Sequence, residues 1–597
     1  MIKVSDYIMK RLRDTYGMDC VFMVSGGGAM HLNDSVGKYT DYICNHNEQA
    51  CAIAAEGYAR VNQKMAVVNV TTGPGGLNAL NGVMGQWTDS VPVLYLSGQV
   101  KHSTTLDSCS DIPLRQLGDQ EVDIVSVVKP LTKYAVMVRN PNDIKYHLDR
   151  AVYLATHGRM GPTWLDIPLN VQAAMIDEKN LREYDPREDE IKLPNISAQI
   201  KQLSTMIAKS ERPLFVAGHG IRLSGALKEF EDLVAKLNIP VVTTMNGFDA
   251  VPENNPNFVA RIGTVANRAG NFALQNADLV ITVGSRNNIR QISYNWENYA
   301  KNADLVCVDI DAAELDKPTL SPAMKIHADC RDFITQLHNA TAPRAATAWN
   351  KWTRDIKAKY PPVTEAPRVA DNPIEPYAFT EKLIQNFDKD AVVVGGNGTA
   401  FLVPFQVGQV KRGQRYIWNS GDASMGYDLP AAIGACVANG RRDTICLAGD
   451  GSIMMNLQEL QTMRHYNLPI KLFVLNNNGY ISIQQTQRNF FNGRMTACTT
   501  DSGVSLPDFM RVGAAFDLPT IKISDKQNLD SQIQRVLRTS GPVLCEVMLS
   551  PDYIFAPKLS AKKLPDGSMV SPSLEDLYPF LPAAEVQQNM IANQKQR

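Results

Sequence analysis

Two polar clusters hold oxygens and amides able to do chemistry: Gly449-Asp450-Gly451-Ser452 and, 23 residues further on, Asn476-Asn477-Asn478-Gly479. Each closes an apolar run, TICLA (444–448) and IKLFVL (470–475). A strand-helix-strand crossover of that length makes the two strands parallel, so both clusters lie at one carboxyl edge, where open α/β sheets take their ligands. Gly449 and Gly451 let backbone amides approach closely. The helix expected over 453–466, with Ser452 as its N-cap, offers its positive end to an anion such as a diphosphate. Asp450, Asn477 and the carbonyl of Gly479 are hard oxygens suited to an octahedral Mg²⁺ completed by phosphate oxygens and water.

The elements that must position these clusters recur along the chain. Short β-branched runs alternate with helix-period segments: VFMVSG, YICN, AVVNVT and VPVLYLSG first; PLFVAG, IPVVTTM, ADLVITVG and ADLVCVDID next; AVVVGG, RYIW, DTICLAG, IKLFVLNN and VLCEVML last. Strands separated by helices imply parallel sheets covered on both faces, so the fold class is α/β with three doubly wound parallel-sheet domains. Two segments mark linkers. Residues 177–192 hold 11 charged residues of 16 and read as a solvated connector. Residues 341–376 carry six prolines and read as a surface crossing with one helix near 347–359. The expected domains are 1–176, 190–340 and 370–550, followed by a tail, 551–597. AAEGYARVNQKMAVVNVTTGPGG (54–76) can be aligned with AAIGACVANGRRDTICLAGDGS (431–452), which predicts that the outer domains are related. One kept an acid in its glycine loop, Asp450; the other has Thr72-Gly73-Pro74-Gly75.

Composition excludes several classes. The chain has 597 residues, which at ~100–200 per domain suggests three to five domains. Its 60 basic and 61 acidic residues leave no broad footprint for nucleic acid or an acidic membrane. Ten cysteines, without CxxC or zinc-site spacing, read as small buried hydrophobes of a reducing compartment. MIKVSDYIMKRLRD looks like an amphipathic helix and not a signal peptide, and no apolar run approaches the ~18 residues of a membrane span. A cytoplasmic protein is expected.

GDGS followed by NNNG resembles the thiamine-diphosphate-binding signature, and the likeness runs along nearly the whole chain. The GGGA loop (26–29), NEQACAIAAEGYAR (47–60), TTGPGG (71–76) and DSVPVLYLSGQV (89–100) resemble the pyrimidine-binding domain of the acetohydroxyacid synthase and pyruvate decarboxylase superfamily. SMGYDLPAAIGA (424–435) resembles its diphosphate-binding domain. The resemblance implies thiamine diphosphate and Mg²⁺ as cofactors, the latter held by Asp450, Asn477 and Gly479. It makes Glu48 the glutamate that hydrogen-bonds pyrimidine N1′ and lets the 4′-nitrogen take the C2 proton. A carboxyl sharing a proton in that way needs an apolar pocket. Met425 matches the residue that props the cofactor in its bent form, and the Ala423 carbonyl would accept from the 4′-amino group. Gly27, Gly28, Thr72, Gly73, Pro74, Asn78, Gly396, Asn397, Gly398, Gly449, Gly451 and Ser452 complete the expected cofactor contacts. Because Glu48 and Asp450 serve opposite ends of one cofactor, and the family pairs these domains between subunits, a homodimer is the implied minimum, compatible with a tetramer.

The implied reaction is decarboxylation of a 2-keto acid, pyruvate first, with transfer of the acyl unit to a carbonyl acceptor. At the acceptor side the chain departs from acetohydroxyacid synthases. Asp119 precedes Gln120-Glu121 where those have Phe, Thr486 stands for their tryptophan, and Leu169 for their lysine. An aromatic wall replaced by small or polar groups predicts a larger, more polar acceptor. Gly28, His31, Gln120 and Thr486 are the expected substrate contacts, and Asn33 and His46 near the GGGA loop fit the same reading. These departures, GGGAMHLNDSVG (26–37) and the tail 558–581, with Lys558, Lys562 and Lys563, resemble a subgroup of surface-polysaccharide sugar biosynthesis, some of whose members acetylate a keto-sugar nucleotide. The middle block resembles the family's Rossmann-like central domain, which binds FAD in acetohydroxyacid synthases. Here Gly218-His219-Gly220 is not the dinucleotide fingerprint, PVVTTM ends without an acidic ribose partner, and NNIRQ (287–291) stands where those enzymes resemble FDDR. FAD is left open. A decarboxylase that releases aldehyde, a non-catalytic scaffold of the same fold and a nicotinamide dehydrogenase are the rival readings; the last lacks a GxGxxG loop.

Overall fold

A computed structural model describes residues 1–361, 374–563 and 569–591. It contains three six-stranded sheets, all parallel, each flanked by helices. In the first, the spatial order is Asp41–Cys44, Cys20–Met23, Ala66–Val70, Val93–Gln99, Thr163–Pro168, Tyr134–Met137. In the last it is Arg415–Ile417, Val392–Gly395, Thr444–Gly449, Ile470–Asn476, Val543–Met548, Thr520–Ile523. Numbered along the chain, both read 2-1-3-4-6-5. The central sheet is built differently, with Phe258–Arg261 at one edge, Val241–Thr243 and Pro213–Ala217 inside it, then Leu279–Val283, Asp304–Asp309 and Met324–His327. That order is 3-2-1-4-5-6.

The apolar runs mark most interior strands and miss Tyr134–Met137, Phe258–Arg261, Met324–His327 and Thr520–Ile523. All four are sheet edges, where one flank lacks a strand neighbour and an apolar run is not required. Thr163–Pro168 is interior, and its run is broken by the buried Asp166. MIKVSDYIMKRLRD forms the helix Val4–Tyr16, ended by Gly17 in the left-handed region at φ 65°. The crossing helix is Ala348–Lys359, with Thr347 and Asn350 in a reciprocal capping box; the proline-rich residues 362–373 lie outside the described residues.

The charged connector is solvated, as its composition predicts, but it is tethered at a few points. Arg150 pairs with Asp189 at 2.7 Å and Tyr146 donates to Glu188 at 2.8 Å, which lays the segment along the helix Ile144–Thr156. Residues 571–591 run back over the central unit. Asn271 donates to the Leu574 carbonyl and Gln275 to Glu575, while Lys301 pairs with Glu575 at 2.6 Å. Among the described residues no helix is long and apolar enough to cross a membrane.

One core joins the outer units. The helices Glu48–Asn62 and Asp428–Ala438 pack face to face inside it. Their closest approach is at Gly57 and Gly434: a Cβ on Gly57 would lie 2.1 Å from the Ala431 carbonyl oxygen, and one on Gly434 1.7 Å from that of Ala54. These glycines are partners in the alignment of 54–76 with 431–452. Their presence is explained by two backbones touching, which no larger residue permits.

Candidate active site

Asp450 opens a short helix, Asp450–Ile453, directly after the strand Thr444–Gly449. The expected helix over 453–466 therefore begins earlier, breaks, and resumes at Glu459–His465. Ser452 is not its N-cap: it lies inside the first turn, and its hydroxyl accepts from the Gly426 N–H at 2.9 Å, tying the loop that carries Met425 to this edge. Gly451 is required by contact, since a Cβ there would sit 2.1 Å from the Tyr480 ring.

The Asp450 carboxylate is 2% exposed and is held by amides alone. One oxygen accepts from the Gly451 N–H at 2.7 Å; the other accepts from Asn477 N–H at 3.0 Å and Gly479 N–H at 3.1 Å. Burial pushes its pKa up to about 6, against the lowering effect of those amides. Among the described residues no cationic side chain pairs with it. Asn477 stands beside it, 4% exposed; its amide nitrogen donates to Thr399 and to Tyr553, both at 3.2 Å, while its side-chain oxygen is buried and has no partner. A buried acceptor without a donor is costly, so this oxygen waits for a ligand. Gly479, at φ 129°, turns the chain so that its carbonyl faces the same edge; the Ile481 N–H takes one of its lone pairs. Among the described residues there is no cluster of three or more His, Cys, Asp or Glu able to hold a metal. Carboxylate, amide and carbonyl oxygens are the hard ligands that a cation such as Mg²⁺ takes.

Facing this edge is the loop Gly396-Asn397-Gly398. Gly398 has φ 57°, and the Asn397 side chain donates to the Ala423 carbonyl at 2.5 Å. That carbonyl is therefore already engaged and offers only its second lone pair to a cofactor amine. Ala423 itself has φ 59°, a left-handed conformation rare for a residue with a Cβ, fixed by Asn419, whose carbonyl and side chain both accept from its N–H. Met425 is half-buried, so its thioether side chain is partly free to touch a ligand. Asp428 is fully buried with one oxygen unpartnered, and burial lifts its pKa to about 6.

In the first unit Glu48 begins the helix Glu48–Asn62, capped by Asn47, whose side chain accepts from the Gln49 N–H. Its carboxyl is 8% exposed and accepts from the Asn78 side chain at 3.0 Å. Asn78 ends the helix Pro74–Asn78, which Pro74 starts. Gly28 is pressed against Thr72: a Cβ there would lie 1.9 Å from the Thr72 hydroxyl, which donates to the Gly98 carbonyl. Gly73, at φ 63°, packs on the carbonyl of Gln120, itself left-handed at φ 60°. Gly27 faces open space.

The substrate residues divide. His31 is half-buried, whereas Gln120 and Thr486 are exposed; the Thr486 hydroxyl is spent on its own helix, donating to the Ser482 carbonyl. Asn33 donates to the Gly26 carbonyl and accepts from Asn69, so it braces the glycine loop and is not free for an acceptor. His46 is anchored through its backbone N–H to Glu459 of the last unit. Sequence reasoning missed Thr399 and Tyr553, which position Asn477. Tyr553 lies 76 residues beyond Asn477 and has no local signal; Thr399 follows the glycine loop and could have been suspected. It also missed Asp309. The strand Val241–Thr243 carries no acid, but Asp309 ends the strand Asp304–Asp309 and lines an open cleft with Gly220, Gly284, Ser285, Arg286 and Asp89.

Residues 2–127, 200–337 and 395–547 match, respectively, the N-terminal TPP binding, central and C-terminal TPP binding domains of thiamine pyrophosphate enzymes. The chain is 31% identical to an acetolactate synthase large subunit of Lactococcus lactis subsp. lactis over 93% of its own length and 94% of the relative's. It is 29% identical to the large subunit of Cyanidium caldarium (94% and 96% covered) and 28% identical to isozyme 1 of Escherichia coli (90% and 92%).

Proposed function

The chain belongs to the thiamine pyrophosphate enzymes, and from that premise we infer a thiamine-diphosphate-dependent carboligase of the acetolactate synthase type, which decarboxylates pyruvate and transfers the acyl unit to a carbonyl acceptor. Bound thiamine diphosphate supplies a carbon that adds to the keto acid and stabilises the charge left when CO₂ departs. Asp450, Asn477 and Gly479 hold Mg²⁺, and the amides at Gly396–Gly398 and Gly449–Ser452 receive the diphosphate. Glu48, sheltered from water and oriented by Asn78, keeps a proton in play at the pyrimidine nitrogen. The loops at Gly27-Gly28 and Thr72–Pro74 flank the heterocycle, Met425 supports it, and the Ala423 carbonyl orients its amino group. The observation that carries this reading is the unpartnered Asn477 oxygen beside an uncompensated buried Asp450.

The acceptor is a carbonyl compound, either a keto-sugar nucleotide, more polar than the aromatic-walled sites admit, or a second pyruvate, approached through Gly28, His31, Gln120 and Thr486. The working unit is a homodimer at least. Among the described residues the Glu48 carboxyl bonds only within its own unit, and Leu77, Met84, Trp87, Met454 and Met455 expose apolar surface that a second copy would cover. FAD, or a nucleotide of its size, is assigned to the central cleft. There Asp309 is lifted to about 6 by burial, His219 Nδ1 is buried without a hydrogen-bond partner, and one Asp89 oxygen has only the Arg286 guanidinium, 4.0 Å away. Ten free cysteines support a reducing, cytoplasmic setting. Pyruvate with Mg²⁺ and thiamine diphosphate should release CO₂, and Glu48→Gln should abolish that release; no release from the native protein ends the reading. Acetaldehyde as the sole product would favour a simple decarboxylase, and a colourless protein would remove FAD.

A further inference from the structure

Several buried acids of this fold face a cation. Glu56 pairs with Arg60, and Asp249 is shared by Arg222 and Arg415. Glu459, which begins the helix Glu459–His465, is fully buried, and among the described residues no cationic side chain pairs with it. One of its oxygens accepts from the Asn45 side chain at 2.8 Å and from the Thr462 hydroxyl at 2.7 Å; the other accepts from the His46 N–H at 2.9 Å. Two of these three donors belong to the first unit, 414 and 413 residues away along the chain.

Both stand in the turn, residues 45–47, that joins the strand Asp41–Cys44 to the helix opened by Glu48. A third tie comes from the other end of the same last-unit helix, where the Tyr466 hydroxyl accepts from the Cys44 N–H at 2.9 Å. Asn45 is buried with its side-chain oxygen unpartnered. Turning its amide over would set that oxygen against the Glu459 carboxylate, so it is Glu459 that orients the side chain. Glu48 thus stands two residues beyond an anchored amide. On its other side Glu459 is connected to the cofactor loops. Its N–H donates to the Asn456 carbonyl at 3.0 Å, and the Asn456 side chain donates to the carbonyl of Gly426, next to Met425, at 2.8 Å.

We propose that Glu459 is a positioning residue for Glu48: it holds the turn before it so that the Glu48 carboxyl meets the pyrimidine ring, and it ties that placement to the loop of Met425. The proposal rests on the role given to Glu48 in the carboligase reading and deepens it. A carboxylate kept from water without a cation is costly, and the donors converging on it form short, directional bonds that hold the turn more tightly than a neutral acceptor would. The place of Glu48 is where such stiffness counts, because a misplacement of ~1 Å can slow a reaction by about 10²-fold.

The test uses the full-length protein loaded with thiamine diphosphate and Mg²⁺, with no keto acid present, and follows exchange of the cofactor's C2 proton for deuterium by NMR after acid quench. Glu459→Met removes both acceptor oxygens. It should slow that exchange by about 30-fold or more, toward the rate of Glu48→Gln, while calorimetric binding of thiamine diphosphate stays within about threefold of native. Glu459→Gln should keep exchange within about fivefold, because its amide oxygen still takes the His46 N–H and Asn45 can turn over to accept from its amide nitrogen. In the cofactor-free protein, amide hydrogen exchange of residues 44–48 should be about tenfold faster in Glu459→Met than in the native chain. If Glu459→Met does not fold, Asn45→Ala, which removes one donor, carries the test, with C2 exchange about fivefold slower and binding unchanged. Native C2 exchange in the folded variant, or binding and exchange falling together, overturns the proposal. C2 exchange needs no substrate, so a native protein that exchanges C2 rapidly yet releases no CO₂ from pyruvate would sink the carboligase reading alone.

Discussion

The first and last units share the strand order 2-1-3-4-6-5, and each sends one helix into the common core, yet they present different chemistry at equivalent edges. After its third strand the last unit has Gly449-Asp450-Gly451, whose carboxylate is gripped by amides and stands beside the orphaned oxygen of Asn477. The first has Thr71-Thr72-Gly73-Pro74 at that place, packed against Gly28 and Gln120 with no acid. Its acid is instead Glu48, at the start of the helix after the second strand, where the last unit has the fully buried Asp428. On the proposed reading, one scaffold yields a metal and phosphate edge in one unit and a proton-sharing edge in the other. Where a carboxylate sits on the sheet edge, and whether amides or a single amide side chain hold it, decides which.

The largest effects should come from breaking that division. Glu48→Gln and Asp450→Asn should each lower CO₂ release from pyruvate by about 10³-fold. They should part in a magnesium titration: Asp450→Asn raises the Mg²⁺ concentration for half activation and Glu48→Gln leaves it in place. Equal Mg²⁺ responses would show that the two edges are not specialised as described.

Next comes the contact that holds the copies together. Gly57→Ala or Gly434→Ala drives a Cβ into a backbone carbonyl of the opposite helix, and each should cost about 3 kcal/mol in denaturant unfolding. A loss from only one of the two would mean that the crossing is not symmetric in energy.

A smaller effect tests the buried acids of the last unit. Asp450 and Asp428 have folded pKa values near 6, above the ordinary 3.8, so the native state binds more protons than the unfolded chain between those values. Stability of the metal-free protein should therefore rise as pH falls from 7 toward 4, Asp450 contributing about 2 kcal/mol. Glu56 and Asp166, lifted to about 7 in the first unit, act in the same direction. Saturating Mg²⁺, which favours the charged carboxylate, or Asp450→Asn should remove the Asp450 part of the slope in thermal melts and leave the rest.

The smallest concerns strain. Ala423→Gly releases a left-handed alanine and should change stability by no more than about 1 kcal/mol, because the less constrained unfolded chain offsets the relief. Gly73→Ala, at φ 63° with the Gln120 carbonyl in the way, should lose both stability and activity. A loss in both variants would show that Ala423 is held for the cofactor and not merely tolerated.

Much of this was legible because the information is local. A glycine loop after an apolar strand, an acid inside it and an amide pair after the next strand are short-range patterns, and GDGS with NNNG is enough to place Asp450 beside Asn477. The related outer units were legible too, through the matched Ala-rich helices, although the reason for Gly57 and Gly434 was not: a glycine in a helix carries no label saying which backbone it touches. The N-cap assigned to Ser452 was wrong because capping residues and helix-interior serines look alike until the first turn is seen, and the Gly426 N–H claimed its hydroxyl.

By itself the sequence determined three parallel α/β units, the strand ends that carry chemistry and the residue types gathered there, since those follow from periodicity and from what each side chain can donate or accept. Tertiary structure alone decided which groups are left unpaired. The orphaned oxygen of Asn477, the amide-bound carboxylate of Asp450 and the Tyr553 hydroxyl brought from far along the chain all depend on what packs beside them. Burial and partnership are properties of the surroundings, and those surroundings are assembled from segments hundreds of residues apart.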